Sequence, residues 1–337
     1  MRNEERHVAR CLDSVLAQLS SMPEPCEVVC VDGASTDRTR EIVTDYMQRD
    51  DRVRLLDNPQ GIVPTGMNLA IALTHSEVIF RLDCHTTYAP GYFANGLEAL
   101  ARTGADNVGG YIETVPTTDS TVARAIGAAT SSRFGVGGSV FRTGGGEQEV
   151  DTVPFGCFRR DVFTRFGSYD ERLVRNQDIE LNSRIRAGGG KIIITPTMQA
   201  TYFTRSSFSG LWQQAFNNGL WNPYTVYLVG RGLRPRHFIP LAFILSLLVL
   251  GGTALAVPLL WWVLAIEIAC YLLVGSIFAW REMPRVKTPA FLILLSFIVL
   301  HVAYGVGSLW GMLTAPVKFG FRPDRTSRGQ AIADRKD

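Results

Sequence analysis

Paired cysteines and net charge are both scarce in this sequence. The six cysteines at positions 11, 26, 30, 84, 157 and 270 form no Cys-x-x-Cys pair. A chain of 337 residues has no need of a disulfide framework, so reduced, packed thiols are expected. A metal or redox role for Cys26 and Cys30 is the weaker alternative. The formal net charge is only +3, too little to point to a nucleic-acid partner. Charge is nearly absent from residues 238–313, which hold only Glu267 and a short charged joint after Trp280. No signal-peptide pattern precedes the charged part, so that part is expected to stay in the cytoplasm.

What is present divides sharply. Residues 1–237 read as a soluble sequence with scattered charge. Asn3 is a candidate helix cap, with Glu4 and Glu5 suited to the helix's positive end. Val8, Leu12, Val15, Leu16 and Leu19 then recur at helical spacing. Val28–Val31 reads as a buried strand ending at Asp32-Gly33. Thr36 or Asp37 caps a helix reaching about Gln48. Val53–Leu56 reads as a strand, and Gly61 and Pro64 open a helix through Thr74. Val78–Leu82 reads as a strand ending at Asp83. Residues 104–160 are less regular, and Gly144-Gly145-Gly146 reads as a mobile loop, a substrate cover or a plain connector. Residues 161–187 read as two helical pieces, and Lys191–Thr195 as a last strand.

Alternating strands and helices predict an α/β fold with a doubly wound, mostly parallel sheet. Ligands of such sheets bind at the carboxyl ends of strands. Asp32 and Asp83 both fall there, which favours a shared site over two unrelated turns.

Three apolar stretches follow, about 238–257, 259–280 and 290–313. Each is long enough for a bilayer core of roughly 30 Å, so two to three transmembrane helices are expected. Glu267 should face another helix. Arg231, Arg234 and Arg236 precede the first stretch, while Arg281, Arg285 and Lys287 follow the second. The positive-inside rule makes these two a hairpin with cytoplasmic ends. The third is ambiguous, because Lys318, Arg322, Arg325 and Arg328 resist translocation of the tail. Its His301, Gly305, Gly307 and Gly311 suit a re-entrant or tightly packed segment. Phe208, Leu211, Trp212, Phe216, Leu220 and Trp221 form an apolar stripe that predicts an amphipathic helix on the membrane surface.

Three motifs occur in order. Val31-Asp32-Gly33-Ala34-Ser35-Thr36-Asp37-Arg38-Thr39 resembles the D-G-x-S-x-D-x-T signature of family 2 glycosyltransferases. Arg81-Leu82-Asp83-Cys84-His85 falls where that family carries D-x-D. Gln177-Asp178-Ile179-Glu180, followed by Arg184 and Gly188, resembles its E-D or Q-D motif. Residues 154–163 are similar to a stretch of bacterial exopolysaccharide enzymes of the succinoglycan glucosyltransferase type, the nearest group. The resemblance covers about residues 1–230.

It implies a GT-A-like transferase domain at 1–205, an amphipathic interfacial segment at 206–237, a membrane region at 238–313 and a basic tail at 314–337. It implies an inverting transferase at the inner membrane, with a cytoplasmic catalytic domain. Its donor would be a nucleotide-sugar such as a UDP-sugar. Its acceptor would be a lipid-linked oligosaccharide or growing exopolysaccharide, with other polysaccharide-assembly proteins as candidate partners. A polyprenyl-phosphate glycosyltransferase and an inactive membrane scaffold are the competing readings.

The resemblance also assigns roles. Glu4, Asp32 and Asp83 would contact the nucleotide-sugar. Asp83 and His85 would hold a divalent metal, Mn or Mg, that neutralises the leaving diphosphate. His85 stands at the second acid's place, and imidazole suits manganese-like ions better than magnesium. Asp178 would be the general base; its alternative is a helix N-cap. Glu180 points about 200° away if both lie on one helix. It is expected to pair with Arg184 on the helix surface or to position the acceptor. Trp221 is a candidate acceptor contact or interface anchor. Members of the family carry an apolar strand before the Asn-Glu segment. Met1-Arg2-Asn3-Glu4 begins after it, so a late start or a shortened form is expected, with one central sheet position unpaired.

Overall fold

The computed structural model describes residues 1–230 and 232–321. Arg231, Arg322, Arg325 and Arg328, and with them most of the basic tail, lie outside the described residues. The chain runs α1 (Val8–Leu19), β1 (Val28–Asp32), α2 (Thr39–Arg49), β2 (Val53–Asp57), α3 (Val63–Leu73), β3 (Val78–Phe80), β4 (Thr86–Tyr88), α4 (Tyr92–Thr103) and β5 (Asn107–Pro116). It continues through α5 (Thr121–Ser131), α6 (Arg133–Val136), α7 (Val140–Thr143), β6 (Gln148–Glu149), β7 (Cys157–Arg159), α8 (Asp161–Arg165), α9 (Gln177–Ala187) and β8 (Ile192–Thr204). It ends in α10 (Phe208–Val229), α11 (Ile239–Ala254), α12 (Leu260–Val286) and α13 (Ala290–Phe319).

Two compact units share this chain. One holds Met1–Glu113 and Gly144–Tyr202; the other holds Thr114–Thr143 and the residues from Phe203 onward.

The first unit is α/β. In α1 the buried residues Val8, Cys11, Leu12, Val15 and Leu19 recur every three or four positions and form one face. That face meets Cys30 of β1 and Val43 of α2 in one core. The neighbouring strand residue, Val31, faces the opposite way, and a Cβ on Gly66 of α3 would lie 3.3 Å from its side chain. Helices therefore cover both faces of β1, as a doubly wound fold requires.

The sheet is mixed rather than mostly parallel. β1 pairs β2 in parallel, with Val28 opposite Val53 and Asp32 opposite Asp57. β3–β7, β5–β7, β4–β8 and β6–β8 are antiparallel. The expectation came from local strand–helix alternation, which governs β1 and β2. β7 and β8 pair across long separations, which local pattern does not encode. Pairing also lengthens the last strand to Thr204, beyond the expected Thr195. The expected loop at 144–146 is tied down, since the Tyr111 hydroxyl donates to the Gly146 carbonyl at 2.8 Å. Burial, the main cause, pushes the Cys11 thiol up to about 12 and Cys30 to about 11, so both stay protonated at neutral pH.

The second unit is helical. Pro235–Ala254, Leu260–Val286 and Ala290–Phe319 are long and apolar enough to cross a membrane. Trp262 and Trp280 are exposed near opposite ends of α12. At 1.5 Å per residue they lie about 27 Å apart, the spacing of two aromatic belts. α13 is one continuous helix of 30 residues, so the re-entrant alternative gives way to the tightly packed one. Ser246 of α11 donates to Glu267 of α12, which places that acid against another helix as expected.

α10 packs along α13 with its backbone in close approach. A Cβ on Gly307 would lie 2.1 Å from the Phe216 carbonyl oxygen, and one on Gly219 would lie 1.9 Å from that of Tyr304. Asn222 donates to the Tyr304 hydroxyl at 2.6 Å. α10 is thus a packed member of the helical unit, where a solitary surface helix was expected. α5, in the stretch expected to be irregular, buries Ala125, Ala128 and Ala129 against Ala279, Ile293 and Phe297 of α12 and α13.

Candidate active site

The loop after β1 is laced by the chain's first residues. Asn3 sits in a left-handed conformation at φ 54°. Its Oδ1 accepts from the Thr36 N–H at 2.8 Å, while its own N–H donates to Ser35 Oγ at 2.9 Å. The Glu4 N–H donates to Thr39 Oγ1 at 2.7 Å and the Glu5 N–H to Asp37 Oδ2 at 3.1 Å. Asn3 therefore caps this loop and not α1, because Ser35–Thr39 offers partners that the start of α1 does not. Arg38 holds the N-cap position of α2, and Asp37 serves it from one residue earlier by accepting from the Thr39 N–H at 3.0 Å.

Asp32 is buried at the carboxyl end of β1. Ser35 Oγ donates to Oδ1 at 2.5 Å, and Arg40 donates to Oδ2 at 3.1 Å. Burial works to raise this carboxyl, but the Ser35 hydroxyl and the Arg40 guanidinium outweigh it and hold it below the usual carboxylate range.

Asp83 follows β3. Its N–H donates to the Tyr88 hydroxyl at 2.8 Å, and the buried Arg81 guanidinium lies 2.9 Å from its Oδ1. His85 Nδ1 stands 3.7 Å from Glu4 Oε1, beyond hydrogen-bond length but within ion-pair reach. Burial works to lower His85; the Glu4 and Asp83 carboxylates outweigh it and raise it. Glu4, Asp83 and His85 line one end of a cavity of about 1160 Å³.

Asp178 lies in the first turn of α9 and is half-buried. The N-cap position belongs to Asn176, so the N-cap alternative for Asp178 does not hold. Asp178 and Asp83 both act on the Arg81 guanidinium, overcoming its burial and raising it. The same three charges act on the buried Tyr169, whose hydroxyl has no hydrogen-bond partner among the described residues. Asn68 fixes the Tyr169 backbone twice, at 2.9 Å each, accepting from its N–H and donating to its carbonyl. Sequence reasoning gave Arg81 and Tyr169 no role. The available signal was a cation at the end of an apolar strand, Val78-Ile79-Phe80-Arg81.

Glu180 is buried, where an exposed pairing was expected. Arg184 binds both of its oxygens, at 2.8–3.0 Å, and also donates to the Ser168 carbonyl at 2.7 Å. Burial arises because Arg184 also ties off the loop before α9. An acceptor contact would need an exposed oxygen that this arrangement does not offer. Trp221 belongs to the helical unit, where it is buried against Tyr224, with the Lys318 ammonium 5.2 Å from its ring centroid.

Among the described residues no three His, Cys, Asp or Glu side chains are arranged to hold a metal ion. Asp83 and His85 make a two-residue set of oxygen and imidazole donors. That fits a cation completed by diphosphate oxygens and water, the usual arrangement for such ions at phosphates.

Known proteins share this frame. The chain is 34% identical over 219 residues to the succinoglycan biosynthesis protein ExoA of Rhizobium meliloti (strain 1021), covering 64% of this chain and 65% of that protein. It thus spans slightly less than two thirds of that relative. It is 23% identical over 226 residues to a dolichyl N-acetyl-alpha-D-glucosaminyl phosphate 3-beta-D-2,3-diacetamido-2,3-dideoxy-beta-D-glucuronosyltransferase of Methanococcus voltae, covering 64% and 69%. A mannosyltransferase of Pyrobaculum calidifontis, solved with GDP-Man and Mn2+, superposes with a TM-score of 0.54 at 17% identity, covering 92% of this chain and 85% of that one. That likeness supports the GT-A fold. Residues 1–166 match the family model "Glycosyl transferase family 2". Through that domain, and with its three motifs in order, the chain belongs to glycosyl transferase family 2, close to the exopolysaccharide enzymes.

Proposed function

We propose that the chain is a membrane-anchored inverting glycosyltransferase. It takes a sugar from a nucleotide-sugar, a UDP-sugar by preference, to a lipid-linked oligosaccharide or growing exopolysaccharide. The observation that carries this is the charge cluster of Arg81, Asp83 and Asp178, close to Glu4 and His85, beyond the end of β3. Asp32, Asp83 and Glu4 bind the nucleotide-sugar, with Asp32 kept ionised by Ser35 and Arg40. Asp83 and His85 hold a divalent cation, Mn or Mg, which supplies neutralising charge to the diphosphate when bound. Arg81 keeps Asp83 oriented.

Asp178 accepts the proton of the acceptor hydroxyl as that oxygen attacks the anomeric carbon. The C–O bond to the acceptor forms as the bond to the diphosphate breaks, which inverts the anomeric centre. Residues 1–205 carry this chemistry, 206–237 join it to the membrane region at 238–313, and 314–337 form the basic tail. The catalytic part faces the cytoplasm at the inner membrane, supported by Arg281, Arg285 and Lys287 after α12's apolar run. The name of the R. meliloti relative supports an exopolysaccharide product, and that of the M. voltae relative a lipid-linked acceptor.

The test is donor-dependent release of nucleoside diphosphate by the purified full chain with membrane lipid extracts, across a panel of UDP-, GDP- and TDP-sugars. Release with one donor, lost in Asp178→Asn, is the expected result. No release with any donor would favour the inactive scaffold.

A further inference from the structure

The backbone of Met1 already forms one rung of a parallel ladder on β1. Its nitrogen donates to the Val31 carbonyl at 2.8 Å, and its carbonyl accepts from the Gly33 N–H at 2.7 Å. Those two bonds are the signature of a parallel bridge between Met1 and Asp32. They lie on the side of β1 away from β2. The Val28 N–H donates to the Arg52 carbonyl and the Asn58 N–H to the Asp32 carbonyl, so Val28, Cys30 and Asp32 face β2. Alternation turns the backbone groups of Val29 and Val31 the other way.

β3 has a matching open edge. Arg81 and Glu77 exchange bonds with the segment around β7, and Ile79 is opposite Phe158. Alternation then turns Val78 and Phe80 away from β7. Between the two edges lies the apolar end of the cavity, lined by both strands and by Leu12 and Val15 of α1 and Met67 and Ile71 of α3. All three residues of β3 stay half-buried although they are apolar.

We infer that this slot receives an extended apolar strand that runs parallel to β1 and leads directly into Met1. The register is set by the rung in place. The residue two places before Met1 stands opposite Cys30, donating to the Val29 carbonyl and accepting from the Val31 N–H. The residue four places before stands opposite Val28. The residues between turn their backbone groups to Val78 and Phe80. α1 and α3 pack on opposite faces of β1, so consecutive side chains of the strand meet apolar surface on both faces. The occupant is therefore apolar at every position, as strands buried on two faces are. With the slot filled, the cavity keeps only its polar end at Glu4, Asp83 and His85.

The test compares three full-length proteins: the chain as given, the chain with a run of six Val and Ile residues joined to Met1, and the same run carrying Lys two places before Met1. Amide exchange is read in peptides covering 28–33 and 78–82, together with melting temperature. The apolar run is expected to slow exchange in both peptides by about tenfold or more and to raise the melting temperature, and the Lys run to do neither. Should the unextended chain fail to fold, the comparison of the two extended proteins carries the test. Equal exchange with the apolar and Lys runs, or protection in one peptide only, would overturn a strand spanning the slot. The readout does not depend on transferase activity.

Discussion

The Arg81 guanidinium is buried 2.9 Å from Asp83 Oδ1 and packs over the Phe155 ring, 5.6 Å from its centroid. A cation so placed has little freedom, and it limits the carboxylate beside it to one arrangement. Replacing Arg81 with Met should lower kcat/KM for donor by about 100-fold, the scale of an ångström-sized misplacement. Arg81→Lys should recover part of the loss, since it restores charge but not the planar fork. Steady-state kinetics with both variants checks this; equal loss in Lys and Met would show that fork geometry, not charge, matters.

Asp178→Asn keeps shape but cannot take a proton. Transfer should fall by roughly 100-fold or more while the donor dissociation constant hardly moves.

Glu180→Gln should act on the fold. It leaves the buried Arg184 charge without its carboxylate, which costs on the order of 3 kcal/mol. Thermal melting should show the loss, and transfer per folded molecule should change little. A dead but fully stable Glu180→Gln would move the base assignment from Asp178 to Glu180.

Asp83→Ala should abolish transfer, and His85→Asp should retain it with a preference shifted from manganese toward magnesium. Rates in each metal and in chelator decide this. Full activity of Asp83→Ala in chelator would remove the metal from Asp83.

The lowered carboxyl of Asp32 links stability to pH. Its folded value lies below its unfolded one, near 3.9. The stabilisation it brings is present above that unfolded value and is lost as pH falls through the folded one. Melting curves from pH 6 down to 2.5 should therefore drop more steeply for the natural protein than for Asp32→Asn. Parallel curves would mean that Ser35 and Arg40 do not hold the charge as the geometry indicates.

Much of this was legible from residue order alone. Apolar runs closed by an acid gave β1 with Asp32 at its end, Pro64 marked the start of α3, and the lack of charge marked α11, α12 and α13. Local alternation could not show that β7 and β8 pair antiparallel with distant strands. The alanine-rich α5 escaped notice because a small-residue face reads as weakly amphipathic until its helical partners are known. Asn3 misled because a capping residue at a chain's start has the same composition as one that laces a distant loop. Arg81 carried a visible oddity, a cation closing an apolar strand, but only distance to Asp83 gave it a purpose.

The chain leaves the α/β unit at residue 114, comes back at 144 and leaves again at 203. Excision is where this threading matters. A water-soluble fragment made by stopping after residue 205 would keep α5 and discard α12 and α13, which cover Ala125, Ala128 and Ala129. Such a fragment would present a bare alanine face and should aggregate. Swapping residues 114–143 for a short polar linker, in addition to the stop, is what a soluble version of the enzyme requires. Inheritance follows the same constraint: the anchor cannot be exchanged for another by joining genes at a single point, because part of it is written inside the catalytic sequence.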